Sequence, residues 1–266
     1  MNQPYKILVF DSGVGGLSIL QEIQHHLPQH RYYYACDNGA FPYGTKSESE
    51  LIDRVDKVLK ALIATLNPDI VVIACNTAST VALPKIRAHF TKPVVGVVPA
   101  IKPAAALSKT RVIGLLGTTG TVNRPYTQWL IDEFAPDATI IRVGTTELVE
   151  IAELKLRGIS PSNNRLRAII APIFDDPLCD TLILACTHFP LLQQELEAAA
   201  PRHIQWVDSG NAIARRVASL AEGDASDRPQ MVETGFSVWL TAEDDVLTQG
   251  LIKFGATSIH MTGEIN

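Results

Sequence analysis

Two stretches of this sequence decide its fold: Asp69-Ile-Val-Val-Ile-Ala-Cys75-Asn-Thr77 and Asp180-Thr-Leu-Ile-Leu-Ala-Cys186-Thr-His188. Each begins with Asp, continues through apolar residues to Ala and Cys, and then becomes polar. A short, uninterrupted apolar run is typical of a parallel strand that is covered on both faces of its sheet. Both stretches therefore predict a buried strand that leads directly into a cysteine.

Similar β-rich runs alternate with helical patterns along most of the chain. The predicted strands are Lys6–Phe10, Arg31–Cys36, Ile70–Ala74, Val94–Val98, Arg111–Leu116, Thr139–Val143, Thr181–Ala185 and His203–Val207. The clearest predicted helices are an apolar stripe over Leu51–Leu66 behind a capping box at Ser47–Glu50, and the segments Glu147–Arg157 and Pro190–Ala200. This alternation predicts an α/β fold of doubly wound parallel sheets.

The two cysteine stretches belong to a longer internal repeat. Upstream of each, a strand runs into a glycine-containing turn, at Asp11–Gly16 in the first half and Thr118–Thr121 in the second. Asp11 precedes Cys75 by 64 residues, and Thr118 precedes Cys186 by 68. A further strand follows each cysteine at a similar distance. The repeat indicates two related halves with the same order of elements.

We therefore expect two pseudo-symmetric doubly wound parallel-sheet domains that face each other across a central cleft. Residues 1–98 together with 210–266 form the predicted Cys75 side, and residues 99–209 form the Cys186 side. The chain after Gly210 is expected to return and complete the first domain. With 266 residues, of which 46% are hydrophobic and 19% charged, each half has enough apolar material for its own core.

The position of the two cysteines favours a ligand site over a role in packing. Ligands of open α/β sheets bind beyond the carboxyl ends of the strands, where both cysteines are predicted to lie. Asn76-Thr77 and Thr187-His188 follow them and offer donors for a carboxylate, helped by the dipole of the next helix. The alternative is a small buried hydrophobe, which is how we interpret Cys36 and Cys179.

Two thiols on opposite sides of one cleft fit a reaction that removes a proton from one face of a carbon and returns one to the other. Stereoinversion at the α-carbon of an amino acid has this requirement, and a thiolate is a competent base. Asp11 is a candidate partner for Cys75, and His188 for Cys186. The alternatives are that Asp11 is a turn or cap residue and that His188 is structural.

Several classes of function lack support in the sequence. A net charge of −5 without a cluster of Lys and Arg argues against a nucleic-acid partner. No signal peptide or membrane-spanning run is evident, so a cytoplasmic location without membrane partners is expected. The Asp11–Gly16 turn lacks the order of a dinucleotide motif, no cysteine or histidine pair has metal-ligand spacing, and no Lys adjoins the strand ends for pyridoxal chemistry. We expect no cofactor and no metal.

Five segments together resemble the glutamate racemases of the aspartate/glutamate racemase superfamily. They are Asp11-Ser-Gly-Val-Gly-Gly-Leu-Ser18, Asp37-Asn-Gly-Ala-Phe-Pro-Tyr-Gly44, Ala74-Cys-Asn-Thr-Ala-Ser79, Ala185-Cys-Thr-His-Phe-Pro-Leu-Leu192 and Val207-Asp-Ser-Gly210. They occur in the family's order and span nearly the whole chain. The resemblance implies cofactor-independent interconversion of L- and D-glutamate, which supplies D-glutamate for peptidoglycan synthesis.

The resemblance also implies roles for individual residues. Cys75 deprotonates D-glutamate with the help of Asp11, and Cys186 deprotonates L-glutamate with the help of His188. The implied substrate-binding residues are Asp11, Ser12, Tyr43, Gly44, Asn76, Thr77, Thr187 and His188, and the turn with Thr118 and Thr121 adds hydroxyl groups.

One departure concerns the acidic helper that many members carry after a Cys-Pro-containing segment. Residues 142–150 instead read Arg-Val-Gly-Thr-Thr-Glu-Leu-Val-Glu, which resembles the proteobacterial branch. The helper then maps onto Glu150, with Glu147 as a rival and two solvated helix charges as the alternative. Some relatives in that branch are activated by UDP-MurNAc-L-alanine. That activator and a homodimer are candidate partners that the sequence leaves open.

Two alternative functions remain at this point. A sister racemase could act on aspartate or another acidic substrate, although Cys186-Thr-His188 and Tyr43-Gly44 favour glutamate. A two-lobed carboxylate-binding module without chemistry is the other alternative, and the presence of both thiols in matching stretches argues against it.

Overall fold

Two parallel sheets organise the molecule, and the computed structural model describes residues 4–222 and 235–263. The strands are β1 Lys6–Asp11, β2 Arg31–Cys36, β3 Ile70–Ile73, β4 Val94–Gly96, β5 Val112–Gly117, β6 Thr139–Gly144, β7 Thr181–Ala185, β8 Gln205–Val207, β9 Phe236–Leu240 and β10 Ala256–Met261. The first sheet has the order β10-β9-β2-β1-β3-β4 and the second the order β6-β5-β7-β8. The first lobe is built on the first sheet and the second lobe on the second.

The α-helices connect these strands and cover the sheets. They are α1 Gly16–His26, α2 Glu48–Leu66, α3 Asn76–His89, α4 Ile101–Leu107, α5 Thr119–Asn123, α6 Pro125–Phe134, α7 Glu147–Leu156, α8 Asn163–Phe174, α9 Gln193–Ala199, α10 Gly210–Glu222 and α11 Asp245–Phe254. Short 3-10 turns occur at Asn38–Ala40, Tyr43–Thr45 and Phe189–Leu192. Within the described ranges, none of the helices has the length and apolar character needed to cross a membrane.

The topology confirms the predicted fold class and shows the internal repeat. The order β2-β1-β3-β4 in the first sheet corresponds strand for strand to β6-β5-β7-β8 in the second, and every pairing is parallel. The first sheet is extended by the chain that follows Gly210, because β9 pairs with β2 and β10 with β9. Two strands of this segment thus belong to the first sheet, and the sequence analysis assigns neither of them.

The domain boundaries at residues 98/99 and 209/210 stay predictions, and residues 1–3, 223–234 and 264–266 of the first predicted domain lie outside the described ranges. The eight predicted strands are all present, with ends that differ by two residues at most. The capping box is confirmed, since the backbone N–H of Ser47 donates to Glu50 at 3.0 Å and the N–H of Glu50 donates to Ser47 Oγ at 3.4 Å.

The prediction of one continuous helix over Pro190–Ala200 is wrong. The chain first forms a 3-10 turn over Phe189–Leu192, and only then α9. The backbone N–H of Phe189 donates to the carbonyl of Cys186 at 3.0 Å, and that of Leu191 to the carbonyl of His188 at 3.2 Å. These bonds span three residues and wind the chain more tightly than an α-helix does. The turn thereby keeps His188 close to Cys186.

Each sheet is covered on both faces, which explains the uninterrupted apolar strands. Along β1, Ile7 and Val9 belong to one buried cluster and Leu8 and Phe10 to another on the opposite face. The second sheet divides in the same way between two further clusters. Because fully buried strands such as β3 and β5 leave no place for polar side chains, these appear where the strands end. The carboxyl ends of the two sheets therefore carry the chemically active groups.

Candidate active site

The two cysteines lie at equivalent places in the two lobes. Cys75 follows β3 in extended conformation and stands at the N-cap of α3, and Cys186 directly follows β7. Both are nearly buried, with exposed fractions of 6% and 7%, yet both line one cavity between the lobes. The structure thus brings together the two thiols that the repeat had singled out.

The shared cavity is narrow, with a volume of about 30 Å³. Its walls come from the strand ends, the Phe41–Gly44 segment and the start of α7. The lining residues are Ser12, Phe41, Pro42, Tyr43, Gly44, Cys75, Asn76, Thr77, Thr118, Thr146, Val149, Glu150, Cys186, Thr187 and His188. Phe41, Pro42, Thr146 and Val149 are cavity residues that the sequence analysis did not identify.

Asp11 lies beneath the cavity on the Cys75 side and is fully buried. Its carboxylate accepts hydrogen bonds from the backbone N–H groups of Ser12 at 2.7 Å and Gly16 at 2.6 Å. Burial raises its pKa to about 6, although the positive charge of His188 and the hydrogen bonds to the carboxylate act in the opposite direction. Asp11 therefore holds a proton more readily than an ordinary aspartate.

Cys75 is in a setting that favours the neutral thiol. Burial raises the pKa of this thiol well above its ordinary value, and the nearby charge of Asp11 raises it further. The backbone N–H of Ala78, in the first turn of α3, acts in the opposite direction without overcoming these effects. Cys75 consequently keeps its proton in the resting protein, and a carboxyl group shares its environment.

The Cys186 side has a cationic partner instead. His188 Nδ1 lies 3.8 Å from the sulfur of Cys186, and His188 Nε2 lies 2.9 Å from Oε1 of Glu153. Burial alone would lower the pKa of His188, but its hydrogen bonds to Cys186 and Glu153, and their charges, raise it well above the ordinary value. The Cys186 side of the cavity therefore carries a buried positive charge where the Cys75 side carries a carboxyl group.

Glu153 is the acidic group that contacts His188, in place of the expected Glu150 or Glu147. Glu147 pairs with Arg165, and Glu150 is exposed at the wall of the cavity. Glu153 follows Val149 by one helical turn, and both are buried on the inward face of α7. In the sequence, Glu153 is the single acidic residue within the apolar stripe of this helix. That position was the signal that could have identified it.

The glycine turn of the first lobe packs directly against this pair. The backbone N–H of Val14 donates to Oε1 of Glu153 at 2.8 Å, so the turn binds an anion that belongs to the protein itself. A Cβ atom on Gly13 would lie 2.3 Å from Glu153 Oε1, and one on Gly15 would lie 2.3 Å from His188 Nδ1. Any larger residue at either position would displace the groups behind Cys186.

Hydroxyl and amide groups complete the cavity. Thr77 of the first lobe lies 3.5 Å, oxygen to oxygen, from both Thr118 and Thr121 of the second. Thr121 is fully buried and accepts a hydrogen bond from Thr118 at 2.9 Å, so it supports Thr118 from outside the lining. The side-chain oxygen of Asn76 is buried without a hydrogen-bond partner among the described residues. It is free to accept a hydrogen bond from a ligand.

The described part of the chain contains no group of three His, Cys, Asp or Glu side chains arranged to hold a metal ion. The polar groups at the cavity are hydroxyls, an amide, helix N-terminal N–H groups, two thiols, an imidazole and the carboxylate of Glu150. Together, fold and cavity define a two-lobed α/β protein in which each lobe presents one thiol to a common ligand site.

Comparisons with known proteins agree with this class. The Asp/Glu/Hydantoin racemase family model matches residues 17–217. A glutamate racemase from Klebsiella pneumoniae is 50% identical over 253 residues, which cover 94% of this chain and 89% of the relative. A glutamate racemase from Sodalis glossinidius is 46% identical over 96% of this chain and 90% of its own. The chain belongs to the Asp/Glu/Hydantoin racemase family.

A solved structure is similar over the whole chain. The Escherichia coli glutamate racemase, in complex with L-glutamate and the activator UDP-MurNAc-Ala, superposes with a TM-score of 0.91 at 45% identity. The match covers 98% of both chains. The two lobes and their connections are therefore shared along their full length.

Proposed function

We propose that this protein is a glutamate racemase, an isomerase that interconverts L- and D-glutamate without a cofactor. Cys75 and Cys186 act as its two acid–base groups. The observation that carries the proposal is that two thiols from equivalent strand ends of two lobes line a single buried cavity. The substrate, glutamate, is inferred from the related glutamate racemases.

The reaction is a transfer of two protons at one carbon. In the L-to-D direction the thiolate of Cys186 removes the α-proton, and the thiol of Cys75 donates its proton to the opposite face. The negative charge passes from one sulfur to the other, and the α-carbon is inverted. In the D-to-L direction the same steps run backwards, with Cys75 as the base. No electron transfer or covalent intermediate is needed.

The surroundings of the sulfurs support this assignment of roles. The raised pKa of Cys75 keeps it as a thiol, whereas the sulfur of Cys186 has a cationic imidazole, that of His188, beside it. The resting protein is then ready to act on L-glutamate. Asp11, with a pKa of about 6, can take up or release a proton near neutrality and so accommodates the charge of Cys75 after turnover.

Binding of glutamate requires partners for two carboxylates and one ammonium group. The N-terminal N–H groups of α3 and the hydroxyls of Ser12, Thr77, Thr118 and Thr187 can accommodate carboxylates without a basic side chain. The unpartnered oxygen of Asn76 is a suitable acceptor for the ammonium group. Because a cavity of about 30 Å³ holds only a few water molecules, the lobes must separate to admit the substrate.

The cellular role proposed from this reaction is the supply of D-glutamate for peptidoglycan in the cytoplasm. UDP-MurNAc-L-alanine is a candidate activator, because the similar Escherichia coli enzyme is described in complex with it. Initial rates with and without this precursor would test activation. Sedimentation at increasing protein concentration would test the candidate homodimer.

Proton exchange provides the test of substrate and chemistry. The purified protein in D₂O should incorporate deuterium at Cα of both enantiomers of glutamate, and should leave aspartate unlabelled. Exchange of aspartate without exchange of glutamate would favour the sister racemase. Saturable binding of glutamate without any exchange would favour a carboxylate-binding module.

A further inference from the structure

A second buried carboxylate, Asp37, lies at the end of β2 but does not line the cavity. It accepts hydrogen bonds from Tyr43 Oη at 2.5 Å and from Thr241 Oγ1 at 2.6 Å. Arg54 of α2 donates to it from Nε at 2.9 Å and from Nη2 at 2.6 Å. Four separate segments of the first lobe thus meet at this one side chain.

Arg54 is the group that makes a charged Asp37 tolerable at this depth. A fully buried carboxylate is costly unless it is paired and hydrogen-bonded. The guanidinium fork provides two parallel donors in fixed geometry, which an ammonium group cannot reproduce. Asp37 remains free to accept from the phenol of Tyr43, whose pKa is raised well above its ordinary value by burial and by Asp37. The phenol therefore keeps its proton and the hydrogen bond.

The anchored phenol belongs to a wall of the cavity. Tyr43 is 1% exposed, and its short 3-10 turn presents Tyr43 and Gly44 to the ligand space beside Cys75. Gly44 faces the second lobe closely, since a Cβ atom there would lie 3.6 Å from Cβ of Thr118. The hydrogen bond of the Tyr43 phenol to Asp37 thus fixes the position of the Tyr43–Gly44 wall relative to the second lobe.

We propose that Arg54, acting through Asp37, is a positioning residue for the Tyr43–Gly44 wall and so determines the affinity for substrate. The inference rests on the proposed function, in which this cavity binds glutamate. Neither Tyr43 nor Gly44 exchanges a proton with the α-carbon in the proposed reaction, so we expect the wall to bind substrate equally before and during proton transfer. Loss of such uniform binding raises KM and leaves kcat unchanged.

The experiment compares Arg54→Met with Asp53→Asn in steady-state racemisation of both enantiomers. Asp53 is the neighbouring residue on α2 and pairs with Lys85 at the surface, at 2.9 Å, away from the cavity. In Arg54→Met we expect KM to rise about tenfold for L- and D-glutamate alike, with kcat within about twofold of wild type. Asp53→Asn should match wild type, and Arg54→Lys should give an intermediate KM.

A general folding defect would give the opposite pattern, because a smaller active fraction lowers kcat and leaves KM unchanged. That pattern in Arg54→Met, or an equal rise of KM in Asp53→Asn, would overturn the inference. If Arg54→Met does not fold, the variant Thr241→Val tests the positioning role instead. It removes one hydrogen-bond donor from Asp37 and should raise KM about threefold. An unchanged KM in Thr241→Val would then reject the positioning role.

Failure of the proposed function has a separate signature. A wild-type protein that does not exchange the α-proton of glutamate would overturn the proposed function and the Arg54 inference together. An active wild type with an unaltered KM in Arg54→Met would overturn the Arg54 inference alone.

Discussion

The surroundings of Cys75 and Cys186 differ far more than the backbones that carry them. Each cysteine follows the third strand of a four-strand motif repeated in the two sheets. Cys75 nevertheless has a buried carboxyl group beside it, at Asp11, whereas Cys186 has the ion pair of His188 and Glu153. The comparison teaches that the repeat gives the two thiols equivalent positions, and single side chains give them neighbours of opposite charge type.

The largest expected effect comes from removing either sulfur. Cys75→Ser and Cys186→Ser should each lower racemisation by roughly 10²–10⁴-fold, because a hydroxyl is a far weaker acid than a thiol. Optical rotation of L- and D-glutamate solutions measures the rate. Cys179→Ser is the control, since this thiol is buried away from the cavity. Substantial activity without either cavity thiol would refute the two-base mechanism and make the comparison between the lobes irrelevant to catalysis.

Removing one partner group should expose the difference between the two sides. His188→Asn and Asp11→Asn should each lower kcat/KM by on the order of 10²-fold, and equally in both directions because the enantiomers are equal in free energy.

The kinetic isotope effect then separates the two variants. In His188→Asn, proton removal by Cys186 becomes limiting, so the effect should increase for α-deuterated L-glutamate and decrease for the D-enantiomer. Asp11→Asn should show the reverse. The same isotope pattern in both variants would contradict the assignment of one face to each lobe.

A smaller effect should distinguish the three acids of α7. Glu153→Gln should lower kcat about tenfold, since His188 loses the charge that holds it protonated, whereas Glu150→Gln and Glu147→Gln should change kcat less. The sign follows from the raised pKa of His188: without Glu153 that pKa falls, and the imidazolium is lost at lower pH.

The L-to-D rate of Glu153→Gln should therefore decline at a lower pH than in wild type. A pH profile of kcat for each variant measures this shift. A greater loss in Glu150→Gln than in Glu153→Gln would return the helper role to Glu150.

The smallest effect concerns Asp11 and stability. Its pKa of about 6 lies above the value of 3.8 expected in an unfolded chain, so the folded state binds the proton more tightly. Folding stability from this group is thus fully present below pH about 4 and is lost as the pH rises to about 6, by at most about 1.4 kcal/mol per pH unit. Across that window, urea unfolding should show Asp11→Asn gaining stability relative to wild type. A difference that is independent of pH would mean that Asp11 has an ordinary pKa.

Much of the fold could be predicted because its signals are local. Uninterrupted apolar runs identified the first eight strands, and their repeated order identified the two lobes. β9 and β10 were not assigned, since β9 alternates between buried and half-buried residues and β10 lies at the edge of the sheet with partly exposed side chains. The 3-10 turn at Phe189–Leu192 was mistaken for helix because Pro190 fits the first turn of either.

The sequence by itself determined where the two thiols stand, because a residue that follows a buried parallel strand must reach the edge where ligands bind. Asp11 and His188 were also predicted as partners of these thiols, and only the tertiary structure decided which groups hold those partners in place. Glu153 on the buried face of α7 contacts His188 across 35 positions of chain and accepts from the backbone N–H of Val14 in the first lobe, and Thr241 reaches Asp37 across 204 positions. Strand position is encoded by neighbouring residues. The groups that hold those partners in place are distant in sequence and meet only in the folded chain.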